Sequence, residues 1–187
     1  MKKFLPVLLA PALLLGFDNT YYPYPGDIYN EGGVWKGIDH LANLGNFIPL
    51  QVDIIAPQDI KLTVTESSVN EVLEKVYKDA GFINAPSPKE EHAFFSIMIL
   101  IYPINEGLAA SIQGRLFEEV QVKRTLIAKD HKLQAETWDQ STLIVAPTAE
   151  FDELLYKSVS EVATNFVKRV QAFQAKRSVL QTNEETK

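Results

Sequence analysis

The sequence predicts an α+β protein, a two-layer sandwich in which an antiparallel sheet of about four strands carries two helices on one face. Strand-like and helix-like segments follow one another in the order β-α-β-β-β-α. Three successive strands are joined by short turns and must therefore be antiparallel. Both helices have one apolar stripe, which a sheet can cover. The chain has 187 residues, 46% of them hydrophobic, which is enough for one domain with a real core.

The domain is predicted to begin with a strand at 47–55, which is rich in β-branched and aromatic residues. Residues 59–65 either extend that strand or form a second short one. A helix is predicted at 69–80, because apolar residues recur there at spacings of three and four. Ser68 and Glu71 have the spacing of a capping box at its start, and Gly81 suits its end.

Three strands are predicted next. Residues 93–104 are almost continuously apolar, which favours a central, buried strand. Residues 105–107 have the chemistry of a hairpin turn, in which Gly107 tolerates a positive φ. The strand that starts at Leu108 alternates apolar and polar residues, which predicts one covered face, and Gly114 is expected to mark a bend or bulge. A turn at 129–132 leads to the last strand, residues 133–145.

The last helix is predicted to begin near Thr148, a candidate N-cap, with Glu150 and Asp152 at the positive end of its dipole. Its apolar stripe is long enough to cross the whole sheet. The chain therefore divides into four parts, which are a signal peptide (1–16), an arm rich in Tyr, Pro and Gly (17–46), the α+β domain (47–176) and a tail that should fray (177–187).

Residues 1–16 have the parts of a secretory signal, because two lysines precede the uncharged apolar run Phe4–Leu15. The run is shorter than the roughly 20 residues that a membrane-spanning helix needs. Phe17 stands where a bacterial lipoprotein signal has its acylated cysteine. We therefore expect a periplasmic or secreted protein, without a lipid anchor and without a transmembrane helix in the mature chain. The alternative is a buried N-terminal segment of a cytosolic protein.

Composition and motifs argue against several classes of function. The net charge is −6, and the densest basic cluster, around Lys168 and Arg169, has the spacing of a solvated helix face, so nucleic acid is not an expected partner. The chain has no cysteine for a thiol nucleophile or zinc site, and His40, His92 and His131 lack metal-ligand spacing. Serine-hydrolase, Walker and dinucleotide motifs are missing from the sequence. We predict no catalytic site, metal or cofactor, and a hydrolase of unrecognised type is the remaining enzymatic alternative.

Two adjacent carboxylates, Glu118 and Glu119, occur in the long alternating strand. Neighbouring strand residues point to opposite faces, so one of the two must point toward the apolar side. We expect that carboxylate to lie at a bend near Gly114, or to reach Arg115 or Arg124.

Five aromatic residues are candidates for binding a partner. Tyr21, Tyr22 and Tyr24 lie in the arm, where neighbouring prolines favour an extended path that could dock onto another protein. The alternative is a linker whose rings lie against the protein's own domain. Trp35 lies in the same arm. Trp138, in the last strand, lines a ligand cleft or packs in the core or at its rim.

A resemblance adds to these inferences. Four segments, in this order, resemble a group of small exported bacterial envelope proteins: VNEVLEKVYKDAGF, FFSIMILIYPI, ETWDQSTLIV and LLYKSVSEVATNFVKRVQAF. They include the pairs Ala80-Gly81 and Thr137-Trp138 and cover about residues 47–175. The architecture is similar to that of transport-auxiliary lipoproteins and the lipopolysaccharide-assembly lipoprotein. The resemblance implies the sandwich fold and the envelope compartment, and it carries no catalytic residue across.

The predicted function is that of a non-enzymatic periplasmic accessory protein, which binds another envelope component or assembles with itself through a sheet edge or through the arm. The alternative is a carrier that holds a small apolar ligand or a lipid between the helices and the sheet, in a cavity lined by Phe94, Phe95, Phe151 and Phe166. The uncovered face of the sheet is expected to be the more polar one, and to meet water, a partner or the arm.

Overall fold

A computed structural model describes residues 28–31, 34–37, 41, 44–88, 93–121 and 132–185. From residue 50 onward the elements of this part follow in the predicted order β-α-β-β-β-α, which confirms the fold class. The elements are β1 (Ile28–Glu31), β2 (Val34–Gly37), β3 (Leu50–Ile55), α1 (Glu66–Ala80), β4 (Ala93–Ile104), β5 (Gly107–Gln121), β6 (Lys132–Ala146) and α2 (Thr148–Glu185).

β3 to β6 form one four-stranded sheet in which the strands lie in chain order. β4, β5 and β6 are antiparallel, as predicted. The sheet as a whole is mixed, because β3 pairs in parallel with β4. The α1 crossover explains this difference from the expected antiparallel sheet. A strand–helix–strand unit carries the chain back to its starting end, so its two strands run in the same direction.

The segment predicted as an arm, 17–46, contains a hairpin. β1 pairs with β2 in antiparallel register, from Ile28 opposite Gly37 to Glu31 opposite Val34. In the sequence only two glycines separate these strands, and Gly-Gly is a dipeptide that two-residue hairpin loops favour. The sequence-based prediction treated the same glycines only as a flexible linker.

α1 begins three residues before the predicted start, because its N-cap is Thr65. The Thr65 hydroxyl accepts a hydrogen bond from the Ser68 backbone N–H at 3.1 Å, and Ser68 Oγ accepts one from the Thr65 N–H at 3.0 Å. The capping box predicted for Ser68 and Glu71 is therefore wrong. Ser68 is the N3 residue of the observed capping box, whereas the prediction made it the N-cap. Gly81 ends the helix with φ 77°, as predicted. Residues 59–65 form no strand and lead directly into this cap.

α2 begins at Thr148, close to the predicted start, and continues to Glu185, through most of the segment that was expected to fray. Thr148 is its first helical residue rather than the predicted N-cap, and the Glu150 N–H donates to the Pro147 carbonyl at 3.0 Å. α1 and α2 lie on the same face of the sheet and run in the same direction. Most of each predicted apolar stripe is buried in one core together with β4 and β5, and Val72, Val76 and Ala80 of α1 are half-buried beside it. The buried residues of the two helices include Val69, Leu73, Tyr77, Phe151, Leu155, Val159, Val162, Phe166 and Val170.

Gly114 is a packing residue rather than the predicted bend. It pairs regularly with Ile97 and Gln140 in the sheet. A Cβ at this position would lie 2.5 Å from Cγ1 of Val162, so the missing side chain lets α2 approach β5. The turn at 105–106 is confirmed, but Gly107 has no positive φ there; a Cβ would meet the carbonyl oxygen of Ala146.

The irregular point of the sheet lies beside Leu116. Leu116 pairs with Trp138 and Phe117 pairs with Glu136, so Thr137 is the extra residue of a bulge. The Thr137 hydroxyl donates a hydrogen bond to the Glu118 carboxylate. The acidic side chain that was expected to point toward the apolar side thus has a partner supplied by the bulge.

Candidate interaction surface

The sheet has one face covered by α1 and α2 and one face, the open face, on which no helix of the described part lies. Side chains alternate between the two faces along each strand. In β4, Phe95, Ile97 and Ile99 are fully buried on the covered face, whereas Tyr102 is 54% exposed on the open face. The open face is therefore where the most exposed side chains of β3 to β6 lie, among the described residues.

One end of the open face is apolar, against the expectation of a polar surface. The register places Ile55, Leu100, Ser111 and Leu143 in one row across the four strands. The next row includes Tyr102 and Val145. The side chains that we call the apolar end are 44–71% exposed, and they are Ile55, Tyr102, Ile104, Leu143 and Val145.

The middle of the open face is polar. Gln51, Ser96, Arg115 and Asp139 form one cross-strand row. Nε of Arg115 lies 3.4 Å from Oε2 of Glu136, which fixes the guanidinium on the sheet. Between this row and the apolar end lies the row Asp53, Met98, Gln113 and Ser141, which is polar at three of its four positions. The apolar end is therefore a patch with a polar border on this side.

Beyond the polar row, Phe94 and Phe117 stack on the open face with ring centroids 5.0 Å apart. The other three phenylalanines proposed for a ligand cavity, Phe95, Phe151 and Phe166, are fully buried on the covered side. Phe95 and Phe166 stack directly, with centroids 4.3 Å apart. The four rings therefore do not line one space, and two of them fill the layer between helix and sheet.

β6 is an edge strand, because in the described part of the chain it pairs with β5 alone. Natural edge strands are normally protected by charges, prolines or bulges that prevent pairing with another chain. β6 has a bulge at Thr137 and acidic residues at Glu136 and Asp139, but residues 140–146 (QSTLIVA) contain no charge and no proline. This stretch, which we call the open edge, combines a backbone edge with no strand neighbour among the described residues and the exposed side chains of Leu143 and Val145.

A groove of about 650 Å³ lies between α1 and α2 on the side away from the sheet. Tyr156 Oη donates to Ser68 Oγ at 2.9 Å near its start, and Gln171 Nε2 donates to the Ala80 carbonyl at 3.0 Å near its end. The groove is lined by three lysines, one aspartate and several apolar side chains. Its charged and apolar lining residues are Lys75, Lys157, Lys168, Asp79, Val72, Val76, Ala80 and Val167.

Of the predicted partner-binding residues, Trp35 and Trp138 lie in the described part of the chain. Tyr21, Tyr22 and Tyr24 lie outside the described residues. Trp35 lies in β2, opposite Asn30. Trp138 is half-buried on the covered face, with its ring centroid 5.2 Å from that of Phe166, which favours the packing interpretation of this residue.

Sequence reasoning missed the apolar end as a surface. A signal for it exists in LIVA at 143–146 and LIYPI at 100–104, where residues of both parities are apolar although only one face of the sheet is covered. In the first run Leu143 and Val145 point to the open face, and in the second run the even-numbered residues Leu100, Tyr102 and Ile104 do so.

A scan against protein-family models and a search of curated proteins give no match to this chain. Of the helices in the described part, none has an apolar stretch long enough to cross a membrane. Among the same residues, no three His, Cys, Asp or Glu side chains come together as ligands of a metal ion would.

Proposed function

We propose that the protein is a non-enzymatic accessory protein of the bacterial envelope, periplasmic or secreted, which binds another envelope protein through the apolar end of its open face. One observation carries the proposal. Five large apolar side chains, each 44–71% exposed, lie together on one face of a well-packed sheet. Contiguous exposed patches of this kind in a soluble domain mark sites of protein association.

The chemistry of the patch favours binding over catalysis. Four of its five side chains are aliphatic and offer only surface for burial, at about 25 cal/mol per Å² of apolar area removed from water. Tyr102 adds a flat ring with a polar tip, which is a common anchor in protein interfaces. The polar row around Arg115 would form the rim of such an interface and fix its orientation.

The compartment rests on the sequence. The basic start, the short apolar run and Gly16 support export, and Phe17 supports a mature form without a lipid anchor. The full chain with a C-terminal tag should leave cells in the osmotic-shock fraction, with a mass reduced by the loss of about residues 1–16. A full-length protein that remains with the cytosol would contradict this part of the proposal.

The binding surface is tested by photo-crosslinking in intact cells. A photoreactive phenylalanine analogue replaces Tyr102, and, as a matched control on the helical side, Glu161. We expect a discrete adduct at 102 that mass spectrometry identifies as an envelope protein, and none at 161. Ile55→Lys in the same chain should abolish the adduct, whereas Gln51→Lys, on the same strand in the polar row, should leave it. Equal adducts at both sites, or an adduct insensitive to Ile55→Lys, would refute the proposal.

A further inference from the structure

We propose that the open edge of β6 pairs in antiparallel register with the open edge of a second copy of the chain, about a two-fold axis at Ile144. The resulting dimer joins two four-stranded sheets into one continuous sheet. This inference goes beyond the proposed function, because it assigns a second contact, made by the backbone edge of β6 rather than by the side chains of the apolar end, and a different occupant.

The backbone geometry of the open edge favours an extended strand as the binding partner. In an antiparallel pair, alternate residues direct their N–H and C=O groups away from the neighbouring strand. The pairing of β6 with β5 is regular from Gln140 opposite Gly114 to Ala146 opposite Leu108, so this part of the edge contains no bulge. The bulge at Thr137 lies outside it. Another extended strand is the occupant that satisfies all of these outward backbone groups together.

Charge does not oppose a second copy as the source of that strand. The chain has a net charge of −6, which opposes close approach of two copies over most of their surfaces. The open edge is uncharged, so two copies that meet there place no like charges opposite each other. With the axis at Ile144, the acidic residues Glu136 and Asp139 lie beyond the paired segment, because Pro147 ends β6 on the partner strand.

The side-chain pattern favours the same register. Pairing about Ile144 sets Leu143 opposite Val145 of the second copy, and Val145 opposite its Leu143. These two side chains are 71% and 58% exposed, so the contact covers the most exposed large apolar side chain of the described residues. Thr142 faces Ala146 across the same axis. An axis at Leu143 would instead set Ser141 opposite Val145, which pairs a hydroxyl with a branched hydrocarbon.

This register keeps the helices of both copies on the same side of the joined sheet. Each residue meets one of the same parity, so both helical layers lie on one side of the joined sheet and both open faces on the other. The two apolar ends then adjoin. The contact is isologous and therefore closes at two copies rather than growing into a fibre.

The chain contains no cysteine, so introduced thiols report the register directly. Leu143→Cys and Val145→Cys chains with different affinity tags are purified separately and mixed under oxidising conditions. We expect a disulfide between the two different chains, and little within either variant alone, because equivalent positions then lie on a diagonal of the ladder. Strong linkage of either variant to itself, or none in the mixture, would overturn the proposed register.

The dimer itself is tested by light scattering on the full chain at micromolar concentrations. We expect twice the monomer mass for the wild-type chain. Leu143→Lys adds the kind of charge that protected edge strands carry, so it should raise the dissociation constant of the dimer about tenfold or more. Ile55→Lys, in the same row but on β3, should leave the dimer unchanged. A monomeric wild-type chain, or equal effects of both variants, would overturn the dimer. Either result leaves the Tyr102 adduct of the proposed function intact, so the two failures are distinguishable.

Discussion

Gly114 of β5 and Val162 of α2 are in direct contact, with the Val162 methyl group in the space that a side chain at 114 would need. The sheet and its longest helix therefore touch through a strand backbone. The distance between the two layers at their centre depends on this one missing side chain.

Gly114→Ala should destabilise the fold by about 1–3 kcal/mol, the usual cost of overpacking a core. Urea unfolding would measure it. Ser111→Ala, on the open face of the same strand, should change stability by less than about 0.5 kcal/mol. Val162→Ala combined with Gly114→Ala should recover part of the loss, because it removes the methyl group that clashes. Additive losses in the double variant would show that the contact is not the cause.

Tyr77→Phe should leave the stability at neutral pH unchanged or raise it by about 1 kcal/mol. The Tyr77 hydroxyl is buried without a hydrogen-bond partner among the described residues, while its ring packs 5.5 Å from that of Phe82. Removing a desolvated, unpaired hydroxyl and keeping the ring removes a cost of folding and little else. A loss of more than about 1 kcal/mol would indicate a partner for this hydroxyl.

The same pair of proteins should diverge in alkaline solution. Burial raises the pKa of Tyr77 well above its ordinary value of about 10. Above pH 10 the unfolded tyrosine therefore ionises while the folded one stays neutral, so the wild-type chain loses stability as pH rises. The loss relative to Tyr77→Phe should approach about 1.4 kcal/mol per pH unit. The other titrating groups are common to both chains, so parallel stability curves above pH 10 would contradict the expected shift.

Thr65→Ala should cost about 1 kcal/mol through loss of the α1 N-cap. In a domain of this size that corresponds to a fall in Tm of about 2–4 °C. Thr65→Ser keeps the hydroxyl that accepts from Ser68 N–H, so it should stay close to wild type. If alanine and serine behave alike in a thermal melt, the capping box contributes little to the stability of α1.

Local patterns were sufficient for most elements. β4 has the predicted bounds, because its apolar run is unbroken between a polar loop and a turn. The parallel direction of β3 was missed although the predicted strand–helix–strand order favours it, because the short-turn rule that holds for β4, β5 and β6 was extended to the whole sheet. Gly114 was misjudged for a different reason: a glycine in a strand is compatible with a bulge or with a close neighbour, and Val162 comes from a distant part of the sequence.

The candidate surface was harder to predict than the fold. Trp138 was a candidate binding residue, but its ring packs against that of Phe166 on the covered face. Ile55 and Leu143 lie in one row only because β3, β4, β5 and β6 pair in the observed register. The apolar run at 143–146 indicates exposed apolar side chains in β6, but their grouping with Ile55 becomes visible only after the strands are aligned.

Pro147 follows β6 directly and has no amide hydrogen, and the Thr137 bulge interrupts the strand at its other end. Backbone pairing along the open edge therefore ends at Pro147 on one side and at the Thr137 bulge on the other. Any strand that pairs with this edge can therefore form backbone hydrogen bonds only between these two positions. The added ladder is short, and its length is set by β6 rather than by the partner.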